Sequence, residues 1–254
     1  MKKMNGKICI VTGGGGSIGL ASASMLLEEG AKVMLVDRSK EALVTAADTL
    51  SKFKVDLAYT QANVADTIDT KNYISRTVEK WGKFDVLFCH AGVAGVIKPI
   101  TEYPDEVFDE VMSVNAKGPF LACKYGLPHM NNGGSIVITS SIMGVTADPG
   151  ACGYATSKHA VIGLAKVVAK EAAKRGIRVN VLAPGPVDND FQLKIEERLT
   201  EIVGENGTEV LNRMIPLGRH ARPEEIARMF LFLASDQSSF STGSVFMVDG
   251  GMNV

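Results

Sequence analysis

Six times along this chain, a short segment apolar on both faces is followed by a run of helical periodicity. Strands that are apolar on both faces belong to buried parallel sheets. Parallel neighbours also need a crossover long enough to hold a helix. The strands read as residues 7–12, 32–37, 55–61, 84–89, 135–139 and 177–183, with a short last one at 244–248. Helices are expected at 20–29, from the cap Ser39 to about 53, at 66–81, at 104–130, at 152–175 and at 222–234. Gly30 marks a C-terminus, Pro223 opens the last helix, and Pro119 is a break or kink inside the fourth. This alternation predicts an α/β fold, a doubly wound parallel sheet of about seven strands in a three-layer α/β/α arrangement.

With 254 residues, 46% of them hydrophobic, the chain can bury one large core. No linker, low-complexity run or internal repeat divides it, so residues 1–254 read as one domain. The charged, glycine-broken stretch 188–221 is expected to form one or two short helices on a small mobile lobe. A net charge of −1 supplies no basic field for nucleic acid or an anionic membrane. No apolar run reaches bilayer-spanning length, and residues 1–6 lead into a strand rather than forming a secretory signal. Cys9, Cys89, Cys123 and Cys152 are far apart, which fits free thiols in a reducing cytoplasm. The four histidines show no metal-ligand spacing, so no metal is expected.

A glycine-rich turn, Gly13-Gly14-Gly15-Gly16-Ser17-Ile18-Gly19, follows the first strand, and Gly14, Gly16 and Gly19 satisfy G-x-G-x-x-G. Glycine lets a pyrophosphate approach the N–H groups and positive dipole end of the next helix. Asp37 ends the second strand 18 residues after Gly19. A carboxylate there hydrogen-bonds adenosine ribose hydroxyls and repels a 2′-phosphate, which favours NAD over NADP. Arg38 is the opposing feature, because a guanidinium can hold a 2′-phosphate.

Tyr154 and Lys158 are four residues apart at the start of a helix and share one face. An ammonium beside a phenol favours the phenolate, so the pair reads as a proton donor and acceptor. Ser140 and Ser141 follow the fifth strand, at the carboxyl ends of the strands where ligands bind in such folds. Hydride attack on a carbonyl places negative charge on its oxygen, where a hydroxyl and a proton donor must meet.

On these residues the whole chain resembles the short-chain dehydrogenase/reductase family, with its Rossmann-like sheet. The Tyr-x-x-x-Lys motif matches Tyr154 and Lys158, and the family serine 13 residues before the tyrosine selects Ser141. The helix-four asparagine matches Asn115. The resemblance implies Tyr154 as general acid or base and Ser141 as the group that polarises the substrate oxygen. It implies that Lys158 lowers the tyrosine pKa and holds the nicotinamide ribose, and that Asn115 orders a water. Cofactor contacts are implied at Gly13, Gly16, Ser17, Ile18, Gly19, Asp37, Arg38, Asn63, Val64, His90, Ala91, Gly92, Pro184, Gly185, Val187 and Asn189, as well as at Tyr154 and Lys158. Residues 248–251 resemble the family's C-terminal signature.

Four positions depart from the pattern. Ser17 replaces a glycine, Asn63 an aspartate and Asn189 a threonine, and Cys89-His90-Ala91-Gly92 stands for Asn-Asn-Ala-Gly. The residues flanking the acid are Val93, Ala94, Ile142, Met143, Pro149, Cys152, Pro186 and Phe191. They are small or apolar, which points to a neutral secondary alcohol or ketone. The expected function is NAD(H)-dependent oxidoreduction between such an alcohol and ketone. A dinucleotide-binding regulatory or scaffold protein without catalysis is the alternative. Enoyl reduction is disfavoured because the lysine follows the tyrosine by four residues. Relatives are commonly tetramers, which makes self-association expected.

Overall fold

The computed structural model describes residues 2–254. Its strands are β1 Ile8–Thr12, β2 Lys32–Asp37, β3 Leu57–Gln61, β4 Phe84–Cys89, β5 Met130–Thr139, β6 Arg178–Pro184 and β7 Val245–Val248. Its helices are α1 Ser17–Glu28, α2 Lys40–Thr49, α3 Thr67–Trp81, α4 Asp105–Met112, α5 Gly118–Gly126, α6 Cys152–Ala172, α7 Asp190–Val203, α8 Gly207–Met214 and α9 Pro223–Ala234. The strands form one seven-stranded sheet in the order β3-β2-β1-β4-β5-β6-β7, and every pair is parallel. The chain winds outward from β1 to β3, then returns to the other side of β1 with β4. The order reverses between β1 and β4, which opens a crevice at their carboxyl ends.

Two apolar cores follow from the strand period of two. In β1, Cys9 and Val11 point into a core shared with α1, α2 and α9. Ile8 and Ile10 point into the opposite core, closed by α3, α5 and α6. Stacked rings anchor the first core, with Phe88 and Phe230 centroids 3.9 Å apart. Truncating either ring to alanine would cost about 3–5 kcal/mol.

Three elements differ most from the sequence reading. Helix α1 begins at Ser17 rather than at 20, with Gly16 as its N-cap. The segment 104–130 is not one helix. α4 gives way to a π turn, Ser113–Lys117, then to α5 and a closing 3₁₀ turn, Leu127–His129. Pro119 falls in the first turn of α5, so the interruption lies just upstream of it. β5 starts five residues early because Met130 pairs with Phe84 before the register shifts to Val86 and Ser135.

The 188–221 lobe folds as two helices, α7 and α8, and is tied to the sheet by a parallel bridge between Val187 and Ala221. Inside it, Glu196 and His220 are both buried, with His220 Nε2 2.7 Å from Glu196 Oε1. His220 Nδ1 lies 2.8 Å from Asn212 Oδ1, and the Thr208 hydroxyl donates to Glu196 Oε2. Among the described residues, no helix is long and apolar enough to cross a membrane.

Candidate active site

The glycine turn is shaped by close backbone approach. Gly13 has φ +71°, and its carbonyl accepts the Gly16 N–H at 3.1 Å. A Cβ on Gly19 would stand 2.1 Å from that carbonyl, so no other residue fits there. A Cβ on Gly16 would meet the same oxygen at 3.5 Å, an ordinary contact. Gly13 and Gly19 therefore shape the turn, Gly14 and Gly15 are kept small by Leu35 and Ala42, and Gly16 is the one of these glycines where a Cβ meets only an ordinary contact. Helix α1 has no side-chain cap, so its first N–H groups face the crevice without a protein acceptor. That is the chemistry a pyrophosphate fits.

Asp37 fits the ribose role and also builds the turn. Its Oδ2 accepts from Gly15 N and its Oδ1 from Ser39 N, each at 3.1 Å. These bonds hold an acceptor carboxylate at the end of β2. Arg38 points outward and lies 4.0 Å from Glu110 across exposed surface. Asn63 closes a local turn, with Oδ1 accepting from Ala65 N, and Val64 is buried beside it. Asn189 caps α7 by accepting from Gln192 N, so its oxygen is committed and only its NH₂ remains to donate. Gly185 packs on Asp249, whose Cα a Cβ would meet at 2.9 Å, and its N–H donates to Val248 O. The 248–251 segment thereby buttresses the 184–187 loop. Pro186 and Val187 are buried, and Pro186 O accepts from Ala221 N.

The candidate catalytic groups converge where β4, β5 and α6 meet. Lys158, 4% exposed, donates to Thr139 O at 3.0 Å, and its Nζ lies 5.4 Å from the Tyr154 ring centroid. Ser141 opens a short turn by accepting from Met143 N. Ser140 is structural: its hydroxyl donates to Lys158 O at 2.8 Å. Asn115 is fully buried in the π turn. Its Oδ1 accepts from Val93 N, and its Nδ2 donates to Val93 O and to Ser157 Oγ. The side chain is thus spent on clamping the 93 loop to α6. A water ordered at this residue must use its backbone carbonyl, to which Pro119, four residues on, offers no N–H.

Burial sets the electrostatics of the cluster. Burial pushes the Tyr154 phenol above its ordinary pKa, and the Ser141 hydroxyl pulls it part of the way back. Burial also holds Lys158 down to about 8. His90 is held down to about 3, first by the packing that desolvates its ring and then by the Lys158 charge. It stays neutral at physiological pH, so the ring itself adds no titration there.

Phe191 tilts toward Tyr154, with ring centroids 6.4 Å apart. Val93, Ala94, Met143 and Cys152 are half-buried, Ile142 is buried and Pro149 is exposed. Three contributors escaped the sequence reading. Thr12 accepts from His90 N and Ala91 N, Thr139 holds Lys158, and Ser157 bridges Asn115 to Tyr154 O. Their one sequence signal is a small hydroxyl residue at a strand end, or beside the Tyr-x-x-x-Lys pair.

Comparison with known proteins agrees with this geometry. A family model described as enoyl-(acyl carrier protein) reductase matches residues 13–253. The chain is 41% identical over 255 residues to 3-oxoacyl-[acyl-carrier-protein] reductase FabG of Thermotoga maritima, covering 98% of this chain and 99% of that one. It is 34% identical over 250 residues to cyclohexanol dehydrogenase of an Acinetobacter species, covering 98% and 95%. The crystal structure of levodione reductase superposes with a TM-score of 0.94 at 32% identity, covering 98% of both chains. A parallel sheet with its crevice at the β1–β4 reversal, a glycine-built helix N-terminus and a Ser-Tyr-Lys cluster together place this chain in the short-chain dehydrogenase/reductase family of oxidoreductases.

Proposed function

We propose that the chain is an NAD(H)-dependent oxidoreductase that interconverts a neutral secondary alcohol and its ketone. The observation that carries this reading is the convergence of Ser141, Tyr154 and Lys158 beside a dinucleotide-shaped turn whose second strand ends in Asp37. The bound nicotinamide supplies or accepts the hydride. Gly13, Ile18 and Gly19, with the open α1 N-terminus, hold the pyrophosphate. Asp37 takes the adenosine ribose, and Lys158 takes the nicotinamide ribose. Ala91, Gly92, Gly185 and Asn189 line the cofactor path. Tyr154 gives its phenolic proton to the ketone oxygen in reduction and takes it back in oxidation. Ser141 donates a hydrogen bond to the same oxygen, where charge develops. Asn115 keeps the 93 loop and α6 in register around them.

None of the residues proposed to flank the substrate carries a formal charge, and that supports a neutral substrate. Relatives named for cyclohexanol and levodione support the same reading. The α7–α8 lobe serves as a cover over the substrate within one domain. Phe120 on α5 and Val167 on α6 are 45% and 55% exposed, which supports assembly of copies into a tetramer through these faces.

The test is a panel of alcohols, ketones and 3-oxoacyl thioesters run with NADH and NADPH in parallel, for the parent and Tyr154→Phe. Turnover with NADH that falls about 10²–10⁴-fold in the variant, with NADH still bound, is the expected result. Turnover retained in Tyr154→Phe, or a clear NADPH preference, overturns the corresponding part. NADH binding with no turnover across the panel selects the scaffold alternative.

A further inference from the structure

We propose that His90 is a positioning residue for Lys158, acting through Thr139. The inference rests on the reading of Lys158 as part of the catalytic apparatus. A chain of hydrogen bonds crosses the carboxyl ends of three neighbouring strands. His90 N donates to Thr12 Oγ1 of β1 at 3.0 Å. His90 Nδ1 meets Thr139 Oγ1 of β5 at 3.1 Å, and Thr139 O accepts from Lys158 Nζ of α6 at 3.0 Å. The ring is fixed from behind by stacking on Phe88, with centroids 5.1 Å apart, and Phe88 is itself stacked on Phe230. Thr139 thus carries both the hydroxyl that His90 holds and the carbonyl that holds the ammonium. Fixing one end of a strand-terminal residue restricts the other. Among the described residues, the Lys158 ammonium makes no other hydrogen bond, so its placement depends on that carbonyl.

His90 also has a role a cofactor ligand would not need. Its neutral ring sits near Lys158 without adding charge, because burial and the ammonium itself hold the imidazole unprotonated. The polar contact uses only the δ atom. Asparagine carries a polar δ atom at the same distance along its side chain, whereas phenylalanine keeps the ring and puts carbon there.

The experiment compares His90→Phe, His90→Asn, Thr139→Val and the double variant His90→Phe/Thr139→Val. The first readout is kcat across pH with NADH and the best substrate of the panel. The second needs no turnover: the titration midpoint of the Lys158 ammonium, followed by NMR on protein labelled with ¹⁵N-lysine. His90→Phe and Thr139→Val should each lower kcat roughly tenfold. Each should move the lysine midpoint downward, because the ammonium loses a fixed acceptor. The double variant should be no worse than either single one, since both cut the same link. His90→Asn should restore most of kcat and the parental midpoint. A His90→Phe protein with the parental midpoint and rate overturns the proposal, and so does equal impairment of the Phe and Asn variants. Because the titration is independent of substrate, failure to find a substrate would count against the proposed function and leave this link to be judged on its own.

Discussion

Replacing Lys158 with methionine should stabilise the folded protein while removing its proposed chemistry. Lys158 is 4% exposed, and burial brings its pKa from 10.5 to about 8. At about 1.4 kcal/mol per decade, that difference costs roughly 3 kcal/mol of folding free energy while both states are protonated. The cost is present in full below pH 8. Between there and pH 10.5 the unfolded chain keeps a proton that the folded chain has released, so stability rises with pH. Above 10.5 neither state is charged and the cost is gone. Methionine has a similar reach and no charge, but it gives up the bond to Thr139 O, worth about 1 kcal/mol. The net gain near neutral pH is about 2 kcal/mol, or about 4–8 °C in Tm for a chain of this size. Thermal melts of parent and variant followed by circular dichroism at a series of pH values read it directly. The gap should be widest below pH 8 and close as the pH approaches 10. A variant that melts below its parent at neutral pH, or a gap that does not change with pH, would refute the reasoning.

Gly19→Ala places a methyl against the Gly13 carbonyl and should weaken NADH binding at least about tenfold by calorimetry, whereas Gly16→Ala meets only an ordinary contact and should fold with its turn intact. Ser22 is fully buried on α1 and its hydroxyl has no partner, so Ser22→Ala should gain about 1 kcal/mol and raise Tm by about 3 °C in a calorimetric scan. His220→Ala leaves the Glu196 carboxylate buried without its ring partner. The void and the lost contact to Asn212 should destabilise the lobe, seen as faster hydrogen exchange in α7 and α8 and a raised substrate KM with NADH affinity unchanged.

The central strands were readable because they are buried on both faces, and that burial writes itself into composition as continuous runs such as Ile8–Thr12 and Phe84–Cys89. The Tyr154–Lys158 spacing and the Ser141 strand end were readable for a related reason: helical and strand periods fix where such residues point. The π turn at Ser113–Lys117 was not readable. It inserts one residue into a helix, and what accompanies it is a set of tertiary bonds from Asn115 to Val93 and Ser157. The glycine turn was half readable. The pattern pointed to Gly14, Gly16 and Gly19; a Cβ would collide at Gly14 and Gly19 but not at Gly16, and Gly13, with its positive φ, and Gly15 lie outside the pattern. Spacing says that Tyr154 and Lys158 are near each other and nothing about how dry their surroundings are, so the burial that acts on both was not readable. Likewise, Thr12 and Thr139 become parts of a site only when the sheet order sets β1, β4 and β5 side by side.

The packing of Gly185 on Asp249 has a consequence for how the molecule is made. The loop on the proposed nicotinamide side leaves β6, but it rests on a turn that follows β7, which is added at the far edge of the sheet. During synthesis the amino-terminal strands and the glycine turn can assemble first. The crevice itself stays unfinished until β7 has left the ribosome and docked. A nascent chain stalled before residue 245 should therefore hold most of its sheet and still fail to retain a dinucleotide.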